Sequence, residues 1–427
     1  MRWTLYALLA AAASAGLAQQ PSQADFAAGS AMRKALRQGC YLAADDALRP
    51  LAFSPDGTPI PGFVHDRWTE LQSAFTGEPG PAAVEGITRV RSVDARDSGM
   101  IGAAKPHDAI AAIVERARRT RLVILNEDHA SPRDRAFGLQ VAKALKPLGY
   151  DVLGIETLTN VADDERAAAA MTKLRHEGYP HFTTGTYLSD PVFADFLRQS
   201  LAIGYHPVAY EATDSIQTGD VESRMDRREQ AQADYVLKRA LNAHPSSKVL
   251  LYVGFSHAAE RAKVEGQIKR RWLASRLKEM TGIDPLTIDQ TTFNEYAAGD
   301  PALYKLVADR SGSKPTALFY HGKPLVVGEY AGLVDLQIVH PRTKRIGGRP
   351  TWLLTLGRKP STVPSALLPS SGRRLVQVFI ASERGGIPVD QVMVEAGRPS
   401  AMLMLPRTGI RYAVQERSQC NGIGQID

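Results

Sequence analysis

Residues 122–129 read Leu-Val-Ile-Leu-Asn-Glu-Asp-His. An unbroken apolar run that gives way at once to ionisable residues marks a strand buried on both faces and ending at an open edge. A helix over 132–148 follows, with Pro132 in its first turn. The pattern then repeats. Strand 152–155 runs into Glu156, helices are expected over 163–176 and 191–203, and strand 207–210 leads to Glu211 and Asp214. A long polar helix over about 221–242 precedes strand 248–253. Gly254-Phe255-Ser256-His257 comes next, with Glu260 one helical turn on and a basic amphipathic helix reaching Met280. Strand 286–288 ends at Asp289, and a helix over 107–119 leads into the first strand. Strands alternating with helices define an α/β fold: a mostly parallel sheet with helices on both faces.

The flanks differ from this core. Residues 1–18 carry Arg2, an apolar run over 5–17 and small residues before Gln19, the pattern of a signal peptide cleaved near Ala18. A periplasmic or secreted protein is expected, and no later run approaches the roughly 18 apolar residues of a membrane span. Residues 19–105 read as a helical to irregular N-terminal segment and 106–330 as the α/β domain. Residues 331–427 read as a β-rich C-terminal module; the strand-like runs beyond about 315, at 317–320, 334–339, 352–356, 375–380 and 401–405, separated by Pro, Gly and Ser, fit such a module or an extension of the sheet. Cys40 and Cys420 stand near opposite ends, where export would let a disulfide persist.

The chain has 427 residues, 44% hydrophobic and 23% charged, with a net charge of +7. Disordered and fibrous classes are excluded. The basic groups at 269–271, 342–345 and 373–374 are short and scattered, so they read as solvated faces and no nucleic-acid partner is expected. The expected partner is a small-molecule or peptide substrate; nothing in the sequence defines an oligomeric state.

In open α/β sheets ligands bind outside the carboxyl ends of the strands. Here all five expected strands end in carboxylates or histidines: Glu127, Asp128 and His129; Glu156; Glu211 and Asp214; His257 and Glu260; Asp289. Gathered in one crevice, such groups perturb one another unless cations such as Arg228, Arg133 or Arg135 compensate. Gly254-Phe-Ser-His-Ala258 lacks the final Gly of a nucleophile elbow. A metalloprotease His-Glu-x-x-His, a phosphate loop, a Gly-x-Gly-x-x-Gly and a paired Cys-x-x-Cys are all absent from the sequence. What remains is water activated by His and Glu, or by a metal held between them. A metal would be held by His129, His257 and the carboxylates beside them. Arg228, Glu211, Asp214 and Glu260 would contact substrate.

Asn-Glu-Asp-His at 126–129, Glu156, and Gly-Phe-Ser-His with Glu260 resemble the superfamily that joins erythromycin esterases, ChaN-like haem-binding proteins and TraB/Tiki proteases. The resemblance spans roughly 106–295, with Asn126 where the family usually has Gly, and Arg228-Glu229 is similar to an Arg-acidic pair of the esterase branch. It implies that Glu127, His129, Glu156 and His257 are the catalytic residues, or the ligands of a divalent metal (zinc, manganese or cobalt), in a hydrolase of ester, lactone or peptide bonds or, in the ChaN-like manner, that the protein is a non-enzymatic periplasmic one that binds haem or metal through the same histidines, with Tyr210, Tyr252 and Tyr320 as further ligands.

Overall fold

The computed structural model describes residues 21–78, 93–213, 219–265, 268–296, 299–416 and 424–426. The segment read as a signal peptide, Asp214 and Cys420 lie outside them.

Four helices come first: α1 (Gln23–Arg37), α2 (Tyr41–Ala52), α3 (Phe63–Thr76) and α4 (Ala95–Ala103). Ser22 and Asp25 close a capping box at the start of α1. The expected helix over 107–119 begins late. Residues 105–108 form an edge strand, β1 (Lys105–Asp108), and α5 (Ala109–Ala117) starts only where Asp108 accepts a hydrogen bond from Ala111 N–H. Pairing explains the delay, because His107 and Asp108 are held extended opposite Ala317 and Thr316 of the strand at 316–320.

The alternation follows as read: β2 (Leu122–Glu127), α6 (Pro132–Leu145), β3 (Tyr150–Ile155), α7 (Asp164–Glu177), α8 (Pro191–Ala202), β4 (His206–Val208), α9 (Val221–Tyr235) with a π-helical continuation Val236–Asn242, and β5 (Lys248–Gly254). After β5 the structure departs from expectation. Residues 255–258 make a short 3₁₀ turn and a hairpin, β6 (Lys263–Glu265) and β7 (Ile268–Arg270), intervenes, so α10 (Leu273–Thr281) is only the end of the helix expected to reach Met280. Arg270, read as part of a solvated basic face, is turned inward, with its guanidinium 5.2 Å from the Trp272 ring centroid and 2.6 Å from Glu222.

β8 (Leu286–Asp289), α11 (Ala302–Val307), β9 (Thr316–Tyr320), β10 (Lys323–Pro324) and β11 (Leu336–Val339) complete the large sheet, whose order is β1-β9-β11-β8-β2-β5-β3-β4 with β10 on β9. The six strands from β11 to β4 are parallel, whereas β1, β9 and β10 pair antiparallel. Of the runs read as a β-rich module or a sheet extension, 317–320 and 334–339 include strands of this sheet and are its extension. Side chains alternate between two cores: Val123, Leu125, Leu250 and Tyr252 face α5, α6 and α8, while Leu122, Ile124, Val249 and Leu251 face α9 and α10.

Beyond the sheet come β12 (Arg345–Ile346), β13 (Arg349–Pro350), β14 (Lys359–Ser361), β15 (Arg373–Ile380), β16 (Asp390–Glu395), β17 (Leu403–Leu405), β18 (Ile410–Gln415) and β19 (Gly424–Ile426). Of these, β16-β15-β18-β19 form an antiparallel sheet, the expected β-rich C-terminal module. The run 352–356 is a 3₁₀ helix, not a strand; Leu353 and Leu356, three apart, bury the same side of it. The N-terminal helices pack on this module, with Leu375 of β15 sharing a core with Trp68, Leu71 and Phe75 of α3.

Gly138 on α6 faces the sheet, where an added Cβ would lie 2.6 Å from Tyr252 and 3.0 Å from Phe196. Gly138→Ala is expected to destabilise the protein by about 1–3 kcal/mol. Urea unfolding should show this against the helix-propensity gain of roughly 1 kcal/mol that Ala would otherwise bring.

Candidate functional site

The sheet order decides which side chains meet. β2, β5, β3 and β4 are consecutive neighbours, with Glu127 opposite Gly254 and Ile155 opposite Tyr252. Residues just past those carboxyl ends therefore share one edge. Glu127, His129, Glu156 and His257 are all at most 3% exposed there.

Two histidine–glutamate pairs frame the site. His129 Nδ1 lies 2.9 Å from Glu127 Oε1, and Arg135 clamps that carboxylate through Nε (2.8 Å) and Nη2 (2.9 Å). Arg135 and the His129 hydrogen bond hold the Glu127 carboxyl below the usual range against its burial. His129 stacks on Tyr187 at 4.2 Å, and its Nε2 has no hydrogen-bond partner among the described residues. On the other side His257 Nδ1 lies 3.0 Å from Glu229 Oε2, with its ring edge-on to Trp272.

Glu156 sits between the pairs. It accepts from Gly254 N–H at 2.6 Å and from Arg228 Nη2 at 2.8 Å, and lies 3.7 Å from His257 Nε2. His257, Arg228 and His129 together outweigh its burial and hold its carboxyl down at about 2. His257 is held above the ordinary imidazole value by Glu229 and Glu156, against burial and the Arg228 charge 3.3 Å away. Gly254 is required here: a Cβ would come within 2.7 Å of His129 Nε2 and 3.2 Å of Glu156.

Arg228, expected to contact substrate, is instead buried, with Nε and Nη2 on Glu211 (2.9 and 2.8 Å). Gln232, one turn further along α9, also donates to Glu211. Both cations foreseen from the sequence are thus internal clamps. Asp214 lies outside the described residues. Glu260 is directed elsewhere: it pairs with Lys278 at 2.6 Å and with Thr287 at 2.5 Å, because α10 draws it off the histidine side. Asp128 and Asp289 serve the backbone, Asp128 accepting from Ala130 N–H and Tyr296, and Asp289 from Asn126 and Thr291. Tyr187, which no sequence signal singles out, is buried on His129.

The metal assignment to His129, His257, Glu127 and Glu156 does not fit. Among the described residues no group of three or more His, Cys, Asp or Glu is disposed to hold a metal ion. Each carboxylate already faces a guanidinium where a metal would stand. Haem fits no better, since both histidines are buried with Nδ1 on a glutamate, and a Cβ on Gly254 would already come within 2.7 Å of His129 Nε2. Tyr210 and Tyr252 are core residues, the Tyr210 hydroxyl donating to the Tyr252 carbonyl.

No family model matches the chain, and no curated protein matches it. Among solved structures, a bacterial protein toxin aligns at 17% identity and a TM-score of 0.34, covering 46% of this chain. The match spans 38% of that toxin's own length. The haem-binding ChaN of Campylobacter jejuni aligns at 9% identity and 0.33, covering 44% of this chain and 89% of its own. RRSP, a MARTX toxin effector domain from Vibrio vulnificus, aligns at 14% and 0.32, covering 64% and 57%. These are distant likenesses of fold and bear on nothing else. Among the described residues no helix is long and apolar enough to cross a membrane.

Arg228→Met would leave the carboxylates of Glu156 and Glu211 buried beside each other without their cation. A loss of about 3–5 kcal/mol at neutral pH is expected in urea unfolding. The loss should shrink as the pH falls and Glu156 takes up a proton, since the variant no longer holds its carboxyl down.

Proposed function

We propose that the protein is a hydrolase of ester, lactone or peptide bonds that activates water with its own side chains. The observation carrying this reading is the pair of buried histidines whose Nδ1 atoms are each engaged by a glutamate, Glu127 and Glu229, while the Gly254–Glu156 segment lies between them. A carboxylate on Nδ1 orients the ring and leaves Nε2 to work.

The two histidines suit different tasks. His129 Nε2 has no hydrogen-bond partner among the described residues and is the general base: it takes the proton of the attacking water while Glu127, fixed by Arg135, steadies the ring. His257, which two carboxylates keep protonated to higher pH, acts on the negative charge that develops on the substrate oxygen, while Arg228 holds Glu156 and Glu211 beside it. Glu156 ties the halves together. Export remains part of the proposal and rests on residues 1–18.

In a parallel screen of esters, lactones and peptides, His129→Ala and His257→Ala should each lower turnover by roughly 10²- to 10⁴-fold while remaining folded. Activity should fall on the alkaline side as His257 deprotonates above its ordinary value. In Glu229→Gln, which removes the larger of the two charges holding that proton, the limb should move to lower pH. Two folded histidine variants with full turnover would overturn the reading.

A further inference from the structure

The site has a wall that belongs to the N-terminal segment. α3 lies across the carboxyl edge of the sheet, so that Arg67 faces the Tyr187 hydroxyl and Glu70 faces Asp128. The Arg67 side chain is 3% exposed. Its Nη1 donates to Glu70 at 2.8 Å, but among the described residues Nε and Nη2 have no hydrogen-bond partner. Tyr187 Oη, Thr157 Oγ1 and His129 Nε2 share that condition, and all four residues meet on the His129 side of the site.

The unused edge of Arg67 has a counterpart elsewhere in the same chain. Nε and Nη2 form the planar fork that fits two oxygens side-on. In Arg135, Arg198 and Arg228 that fork clamps Glu127, Glu383 and Glu211, every contact being 2.8–2.9 Å. In Arg67 the same fork holds no carboxylate among the described residues. Arg33 adds a second buried guanidinium close enough for its charge and that of Arg67 to oppose each other. Glu70 and Asp66 offset part of this positive charge, though burial pushes the Asp66 carboxyl up to about 6.

We propose that the Nε/Nη2 fork of Arg67, with the Tyr187 hydroxyl, receives an anionic oxygen group of the substrate, a carboxylate or a phosphate, and so presents the neighbouring bond to His129. The donors match the ligand: a buried fork for two oxygens and a hydroxyl for one of them. The word substrate rests on the hydrolase reading; the anion receptor does not. Arg67 is a binding residue here, and α3 makes the N-terminal segment part of the site.

The test is calorimetric titration of the full chain with inorganic phosphate in one arm and acetate in the other. The wild type should bind one of them saturably, one per chain, and the arm that binds names the source of the charge. Arg67→Gln should weaken binding by at least about 10-fold, the worth of a charge-assisted pair, and Tyr187→Phe by a few-fold. His257→Ala should bind the anion as the wild type does even where it turns nothing over. A failure of hydrolysis with intact, Arg67-dependent anion binding would sink only the hydrolase reading. If neither anion binds the wild type, or if Tyr187→Phe and a folded Arg67→Gln both bind as tightly as the wild type, the receptor is overturned. Should Arg67→Gln not fold, Tyr187→Phe decides, since it removes one oxygen and nothing else.

Discussion

Three carboxylates and two imidazoles packed at one sheet edge would not remain buried without cations among them, and Arg228 is the cation on which that edge depends. It reaches from α9 to Glu211 and Glu156, two residues from different strand ends, and stands 3.3 Å from His257. Removing charges from water is costly, and close opposite charge with good geometry repays it. Arg135 does the same work for Glu127 and continues to Asp190 at the start of α8. The two guanidiniums let the site be dry and charged together, a state in which electrostatic effects on a reacting group are strong. They also account for the poor fit of a metal, because the oxygens a metal would need are already engaged.

The parts outside the sheet are tied to it by the same kind of bond. Arg198 of α8 clamps Glu383, Arg358 meets Asp195 at 2.9 Å, and Arg349 holds Asp390 of β16. The C-terminal sheet is thereby fixed against α8, the helix that also supplies the partner of Arg135. The N-terminal helices rest on that sheet, with Asp45 accepting from Trp68 on α3 and from Arg373 on β15. The ends of the chain thus form one support, and that support holds α3 over His129.

Much of the α/β core was legible in the sequence. Continuous apolar runs at 122–125, 152–155 and 248–253 can only be strands covered on both faces, and each became one. The residues after them were legible for the same reason, since a parallel sheet offers one edge for chemistry. Errors fell where short-range pattern is ambiguous. The run 352–356 is as apolar as a strand, yet it folds as a 3₁₀ helix because Leu353 and Leu356 find the same core. Strands 316–320 and 336–339 could be read as a separate module or as an extension of the sheet, because nothing local states that they dock beside β8.

Glu127, His129, Glu156 and His257 were named by their positions after strands, and Arg228 and Arg135 as cations available to them. Sequence spacing carries that much, because strand ends and helix turns are local. Which carboxylate each histidine takes, that Glu260 turns away toward Lys278, and that Tyr187 and Arg67 close over His129 were decided only by the tertiary structure. Arg67 lies 62 residues before His129 on a helix of ordinary amphipathic pattern, so no short-range signal marks it. Its place depends on how α3 packs on the C-terminal sheet, a contact between segments some 300 residues apart that no local preference of the chain encodes.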